Sequence, residues 1–185
     1  MSEFFLELFS EEIPANLQKN ARNNLLQNFK EFFEKKNISF KNHLSFSTPN
    51  RLLILFDGIN SEIHQEEEEI RGPKVDAPEK ALIGFLKSNN LENKNIYKKE
   101  SEKGTFYFAK KPAKKIKVSD ILNQNIPLIL DKISWKKSMK WGDFELYWAR
   151  PLKSILAIFN NKSLTFNYHH LESSNFTIID KDFED

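Results

Sequence analysis

The sequence predicts an α+β protein, rich in antiparallel sheets, with a long amphipathic helix near its N-terminus and two shorter helices after it. Three observations carry this expectation. Between Leu17 and Phe33 apolar residues recur every three or four positions, the spacing of one helix face. Elsewhere, short apolar runs are separated by Pro49-Asn50, Asp57-Gly58 and Asn160-Asn161, all turn-forming pairs. No segment repeats, and no low-complexity linker interrupts the chain.

The elements follow in order. In Glu3–Phe9, Phe4, Leu6 and Leu8 alternate with Phe5, Glu7 and Phe9, which predicts a strand covered on both sides. Glu11, Glu12 and Pro14 read as a helix start, with acids at the positive end of the dipole. The helix buries Leu17, Ala21, Leu25, Phe29 and Phe32/Phe33 and ends near Asn37. Leu44, Phe46 and Thr48 open a strand that turns at Pro49-Asn50 into a β-rich run over Leu52–Ile59. Ile70-Arg71-Gly72-Pro73 reads as a turn or linker. A short helix is expected over Ala77–Leu91, with Ala81, Leu82, Phe85 and Leu86 on one side. Ile96–Glu100 and Thr105–Lys111 form a hairpin around Glu102-Lys103-Gly104. Val118–Ile133 is read as a helix capped by Ser119 and disturbed by Pro127. Phe144–Trp148, Ser154–Phe159 and Leu164–Tyr168 complete the strands.

Composition narrows the function classes. At 185 residues, with 39% hydrophobic and 29% charged, the chain makes one domain or two small ones. It has no cysteine, which excludes a disulfide scaffold, a thiol nucleophile and any Cys-ligated metal site. No apolar run approaches the ~20 residues that span a bilayer. The N-terminus, with acids inside its apolar stretch, is not a secretory signal. The expectation is a soluble, cytoplasmic protein with no membrane partner.

The net charge of +2 gives no global pull towards nucleic acid. Lysine supplies 24 of the 28 basic residues; the four arginines are Arg22, Arg51, Arg71 and Arg150. Such a bias follows from an AT-rich coding sequence, and the few remaining arginines become candidates for work that needs the guanidinium fork. Between Asn93 and Lys117 nine lysines face Glu100 and Glu102, a local +7. Five glutamates lie between Glu62 and Glu69, and the tail from Asp180 is acidic. Such runs are ordinarily solvated faces.

There is no P-loop, GxGxxG or GxSxG. Adjacent strand histidines, His169-His170, would point to opposite faces and not share a metal. Glu11 and Glu12 are neighbours and do not face each other across a substrate. No catalytic or metal-ligating set is therefore assigned. Two constellations remain. Lys136-Lys137-Ser138-Met139-Lys140-Trp141-Gly142-Asp143, with Trp148-Ala149-Arg150-Pro151-Leu152-Lys153, interleaves cations and tryptophans. That suits phosphate contact with base stacking, although composition alone favours a tryptophan-anchored loop with solvated lysines. The other places Arg51 at a rigid strand turn, Thr48-Pro49-Asn50-Arg51-Leu52.

Taken in order, these segments resemble the N-terminal region of the bacterial glycyl-tRNA synthetase beta subunit family. The resemblance rests on Phe5-Leu6 and Leu8 with Glu11-Glu12-Ile13-Pro14-Ala15, on Thr48-Pro49-Asn50-Arg51-Leu52, and on Arg71-Gly72-Pro73. It continues through Ala81-Leu82-Ile83-Gly84-Phe85 and Gly104-Thr105-Phe106-Tyr107-Phe108-Ala109. Its strongest part is Lys137-Ser138-Met139-Lys140-Trp141-Gly142-Asp143 with Arg150-Pro151-Leu152. Asn50 and Lys140 stand where the family usually has arginine, and neither offers a bidentate fork. The family's Gly-His-Arg-Phe pattern is not recognisable after the last strand.

The resemblance implies a non-catalytic N-terminal part of the tRNA-binding beta subunit of a heterotetrameric glycine–tRNA ligase. On this view residues 1–185 are the opening portion of a longer subunit, without its HD-like and anticodon-binding regions, and residues 72–78 are where a sub-boundary would fall. The alpha subunit would carry the class II site with ATP and Mg²⁺, no cofactor would bind this chain, and the chain alone would be inactive. The partners implied are the alpha subunit and glycine tRNA. Candidate RNA or subunit contacts are Arg51, Lys137, Lys140, Trp141 and Arg150, together with Lys98, Lys99, Lys110 and Lys111. The alternative is a stand-alone RNA- or protein-binding module using the Lys94–Lys117 cluster.

Overall fold

The structure, a computed structural model, describes residues 2–65, 67–89, 91–101, 104–111 and 113–177. The chain divides into two compact units, one running to Ile63 and resuming at Ile116, the other His64–Lys115.

The first unit opens with strand β1 (Ser2–Ser10), helix α1 (Ala15–Lys35) and strands β2 (Asn42–Thr48) and β3 (Arg51–Ile59). β1 is a central strand, antiparallel to β3 on one side and to a later strand on the other. Its two apolar faces are both used, as the sequence predicts. Leu17, Ala21, Leu25, Phe29 and Phe33, spaced by four, are the buried face of α1. They join Phe4, Leu6, Leu8, Leu52, Ile54 and Phe56 in one core. Phe56 sits 4.8 Å from Phe33 and 5.0 Å from Phe40, ring centre to ring centre, both edge-on.

α1 ends in a Schellman motif. Asn37 is left-handed at φ 55°; its N–H donates to the Glu34 carbonyl, and that of Ile38 donates to Phe33 at 2.8 Å. At the other end Pro14 is the N-cap and the first turn holds no acid, so Glu11 and Glu12 lie ahead of the helix and not on its dipole. β2 and β3 form the expected hairpin, with Thr48 opposite Arg51 and Pro49-Asn50 as its two-residue loop.

Strand β4 (Glu62–Gln65) pairs with β8 (Lys114–Lys117) where the chain leaves and rejoins the first unit. Between them lie β5 (Glu68–Lys74), helix α2 (Glu79–Asn89), β6 (Ile96–Ser101) and β7 (Gly104–Lys111). β7 is the centre of a three-stranded antiparallel sheet, ordered β5-β7-β6. The β6–β7 hairpin has the expected register, Glu100 opposite Thr105; Glu102 and Lys103 in its turn lie outside the described residues. Arg71-Gly72-Pro73, expected as a turn, is inside β5. A register shift between Arg71 and Lys74 absorbs the Gly-Pro pair, as bulges do. A side chain at Gly72 would meet the Phe85 ring at 3.0–3.1 Å, so α2 packs on β5 through this glycine. Leu82, Phe85 and Leu86 of α2 are half-buried, while Ala81 is exposed.

The first unit resumes with helix α3 (Val118–Leu130), β9 (Met139–Lys140), β10 (Tyr147–Trp148), β11 (Leu152–Phe159), β12 (Lys162–Ser163), β13 (Asn167–Tyr168) and β14 (Leu171–Ser174). The N-cap of α3 is Lys117 with no side-chain bond, so Ser119 does not cap it; Pro127 is accommodated in the last turn. β11 completes the sheet β13-β14-β11-β1-β3-β2, with β12 hairpinned onto β11. Asn160 and Asn161, at φ 50° and 60°, supply the two left-handed residues that this tight turn needs. The strands expected over Phe144–Trp148 and Leu164–Tyr168 shrink to two residues each. His169-His170 falls in the β13–β14 turn, not on a strand: His169, at φ 52°, faces Asp131 at 3.7 Å, and His170 stacks on Phe144 at 3.6 Å. Among the described residues no helix is long and apolar enough to cross a membrane.

Candidate functional site

In the first unit three separate motifs meet. The Glu11–Ala15 segment leaves β1 and is latched in place by backbone bonds. Ser10 N–H donates to the Asn50 carbonyl at 2.8 Å, Glu11 N–H to Pro151 at 2.9 Å and Ile13 N–H to Pro49 at 2.6 Å. The Asn50 side-chain amide donates back to the Ser10 carbonyl at 3.2 Å. Prolines serve here because their carbonyls accept while their rings hold φ fixed. Asn50 thus holds the turn, a use the sequence did not signal.

Around this latch lies an open cleft of about 730 Å³, lined by Glu11–Ala15, Gln18, Pro49, Trp141 and Arg150-Pro151. Arg150 Nε donates to the Glu12 carbonyl at 3.1 Å, the contact that orients it. Pro151 after it favours the extended backbone that Arg150 needs to reach across. Lys153 Nζ pairs with Glu11 at 2.5 Å. Trp141 Nε1 donates to the Trp148 carbonyl at 2.9 Å, and Gly142 takes φ 60° in the turn that follows. Trp141 is half-buried and also walls a second, apolar hollow of about 440 Å³ with Phe144, Leu152 and His170. Trp148 is only 1% exposed and packs against Trp135 at 5.0 Å, so no base can stack on it.

The other predicted residues are placed as follows. Lys137 is exposed, and Lys140 Nζ pairs with Glu145 at 2.6 Å, which raises the pKa of the lysine and lowers that of the glutamate. Arg51 is away from the cleft; its guanidinium lies over the Phe9 ring at 4.7 Å, and Nε is 3.4 Å from the carboxylate of Glu7, a residue 5% exposed. In the second unit the acidic run meets the lysine cluster because β5 pairs with β7. Lys99 bonds Glu69 at 2.9 Å and Lys110 bonds Glu67 at 2.8 Å. Lys98 lies on the opposite face, 5.9 Å over the Tyr107 ring, and Lys111 is half-buried. Missed by sequence reasoning were Gln18, whose side-chain amide donates to the Ile13 carbonyl at 2.8 Å, and the Lys153–Glu11 pair.

The cleft's acids, Glu11 and Glu12, are balanced by Arg150 in its lining and by Lys153, which pairs with Glu11. The family model described as glycyl-tRNA synthetase beta subunit matches residues 4–184. The chain is 40% identical over 177 residues to the glycine–tRNA ligase beta subunit of Rickettsia peacockii (strain Rustic), covering 96% of this chain and 26% of that protein. Those of Rickettsia felis (strain ATCC VR-1525 / URRWXCal2) and Rickettsia prowazekii (strain Madrid E) are each 39% identical, over 95% and 96% of this chain. The chain belongs to the glycyl-tRNA synthetase beta subunit family, and it spans about a quarter of the length of these relatives.

Proposed function

We propose that this chain is a non-catalytic part of the beta subunit of a glycine–tRNA ligase, supporting attachment of glycine to its tRNA by a separate alpha subunit. ATP and Mg²⁺ act in the alpha subunit on this reading. The observation that carries it is the convergence of the Glu11–Ala15, Pro49 and Trp141/Arg150 segments on one cleft. Because its charges balance and its walls are proline and tryptophan, the cleft suits a protein surface better than a phosphate backbone, which would meet Glu11 and Glu12. Trp141 and Arg150 are of the types that dominate protein interfaces. The cleft is therefore assigned to the alpha subunit.

Co-purification tests this reading. The 185-residue chain should retain the alpha subunit, and Arg150→Ala should weaken retention while the melting temperature stays close to the parent. Undiminished retention by Arg150→Ala and Trp141→Ala together would remove the cleft from the interface.

A further inference from the structure

The β5-β7-β6 sheet presents two unlike faces. On one, Ala109 is fully buried between Ile70 and Ile96 in the register. On the other, aromatic and cationic side chains interleave. Tyr97 stands opposite Phe108, and Lys99 opposite Phe106, so alternation puts all four on this face with Lys110, Arg71 and Glu69. The Tyr97 and Phe108 rings stack with centres 6.3 Å apart and planes inclined by 28°. Both are half-buried. Arg71 lies 3.6 Å over the Phe106 ring, with Lys74 at 5.8 Å from the same ring and Lys99 5.3 Å over Phe108.

Four cations (Arg71, Lys74, Lys99, Lys110) face two acids, Glu69 and Glu67, a surplus of two positive charges. The acids hold Lys99 and Lys110 through exposed pairs, which are weak and salt-screened, so a phosphate can displace them. A near-parallel aromatic pair rimmed by exposed cations is complementary to one class of partner, a polyanion with planar rings along it.

We propose that this face is a stacking platform for a single-stranded stretch of RNA. Tyr97 and Phe108 take the faces of successive bases, and Arg71, Lys74, Lys99 and Lys110 take the phosphates. The proposal deepens the tRNA side of the function above, and it can fail while assembly with the alpha subunit stands.

The test is fluorescence anisotropy of a labelled single-stranded RNA of about ten nucleotides with the 185-residue chain over a salt series. Phe108→Leu, which keeps apolar bulk and removes the ring, should weaken binding about tenfold, within the range for one stacked base. Phe108→Tyr should bind as the parent does. Lys99→Gln with Lys110→Gln should cut the slope of log K against log salt by about 1.4, two phosphates' worth for a single strand. Lys98→Gln, on the reverse face, should leave it unchanged. Unaltered affinity in Phe108→Leu, equal affinity for duplex RNA, or a Lys98 effect matching that of the Lys99/Lys110 pair would overturn the proposal.

Discussion

Trp141 is the residue on which the candidate site turns, and Trp141→Phe separates its bond from its bulk. Phenylalanine fills most of the same hollow but cannot donate to the Trp148 carbonyl, which Nε1 reaches at 2.9 Å. A net hydrogen bond is worth about 0.5–1.5 kcal/mol, and the half-buried setting lets water reach part of the orphaned carbonyl. The expected loss is about 1 kcal/mol, or roughly 2–4 °C in melting temperature for a chain of this size. Trp141→Ala also forfeits the wall shared by the two hollows, and should cost about 2–3 kcal/mol, less than a fully buried tryptophan. Urea unfolding followed by circular dichroism measures both. If Trp141→Phe is indistinguishable from the parent, the bond does not hold the loop; if it matches Trp141→Ala, the ring's bulk is irrelevant. Either result refutes the reasoning.

The end of α1 makes a second prediction: Asn37→Ala, forced to φ 55°, should lose about 1 kcal/mol, whereas Asn37→Gly should be neutral or slightly stabilising, as thermal melts will show. A third concerns pH. Hydrogen bonds from Tyr97 and then Lys99 hold the Glu69 carboxyl below its ordinary 4.5. A depressed folded pKa gives stability that is present above the unfolded value and lost as pH falls, so Glu69→Gln should show a shallower loss than the parent below about pH 4.5 in parallel melts.

The elements that could be read from the sequence were those whose signal is local. The four-residue spacing from Leu17 to Phe33 defines a helix face whatever packs on it, and Pro49-Asn50 can hardly be anything but a turn. Misreadings arose where pairing overrode composition. Gly72-Pro73 looks like a linker, yet ladder bonds on either side of a bulge keep it in β5. Glu11 and Glu12 look like helix-start acids, yet Pro14 begins the helix after them and leaves them facing the cleft. The lysine cluster reads as a single +7 run, but strand alternation divides it between two faces, and β5 and the residue before it bring Glu69 and Glu67 to one of them. The sequence singles out most of the cleft's members, Gln18 excepted, but not their convergence. It depends on backbone bonds between segments some 40 and 140 residues apart, Ser10 to Asn50 and Glu11 to Pro151, and these leave no trace in local pattern.

On the proposed function, glycine is activated outside this chain. Glycine-dependent exchange of pyrophosphate into ATP tests it most directly, measured with the chain alone, the alpha subunit alone, and the two together. No exchange is expected from the chain alone, and exchange is expected in every sample containing the alpha subunit. Glycine-dependent exchange by the chain alone, at a rate that tracks its concentration through purification, would contradict it.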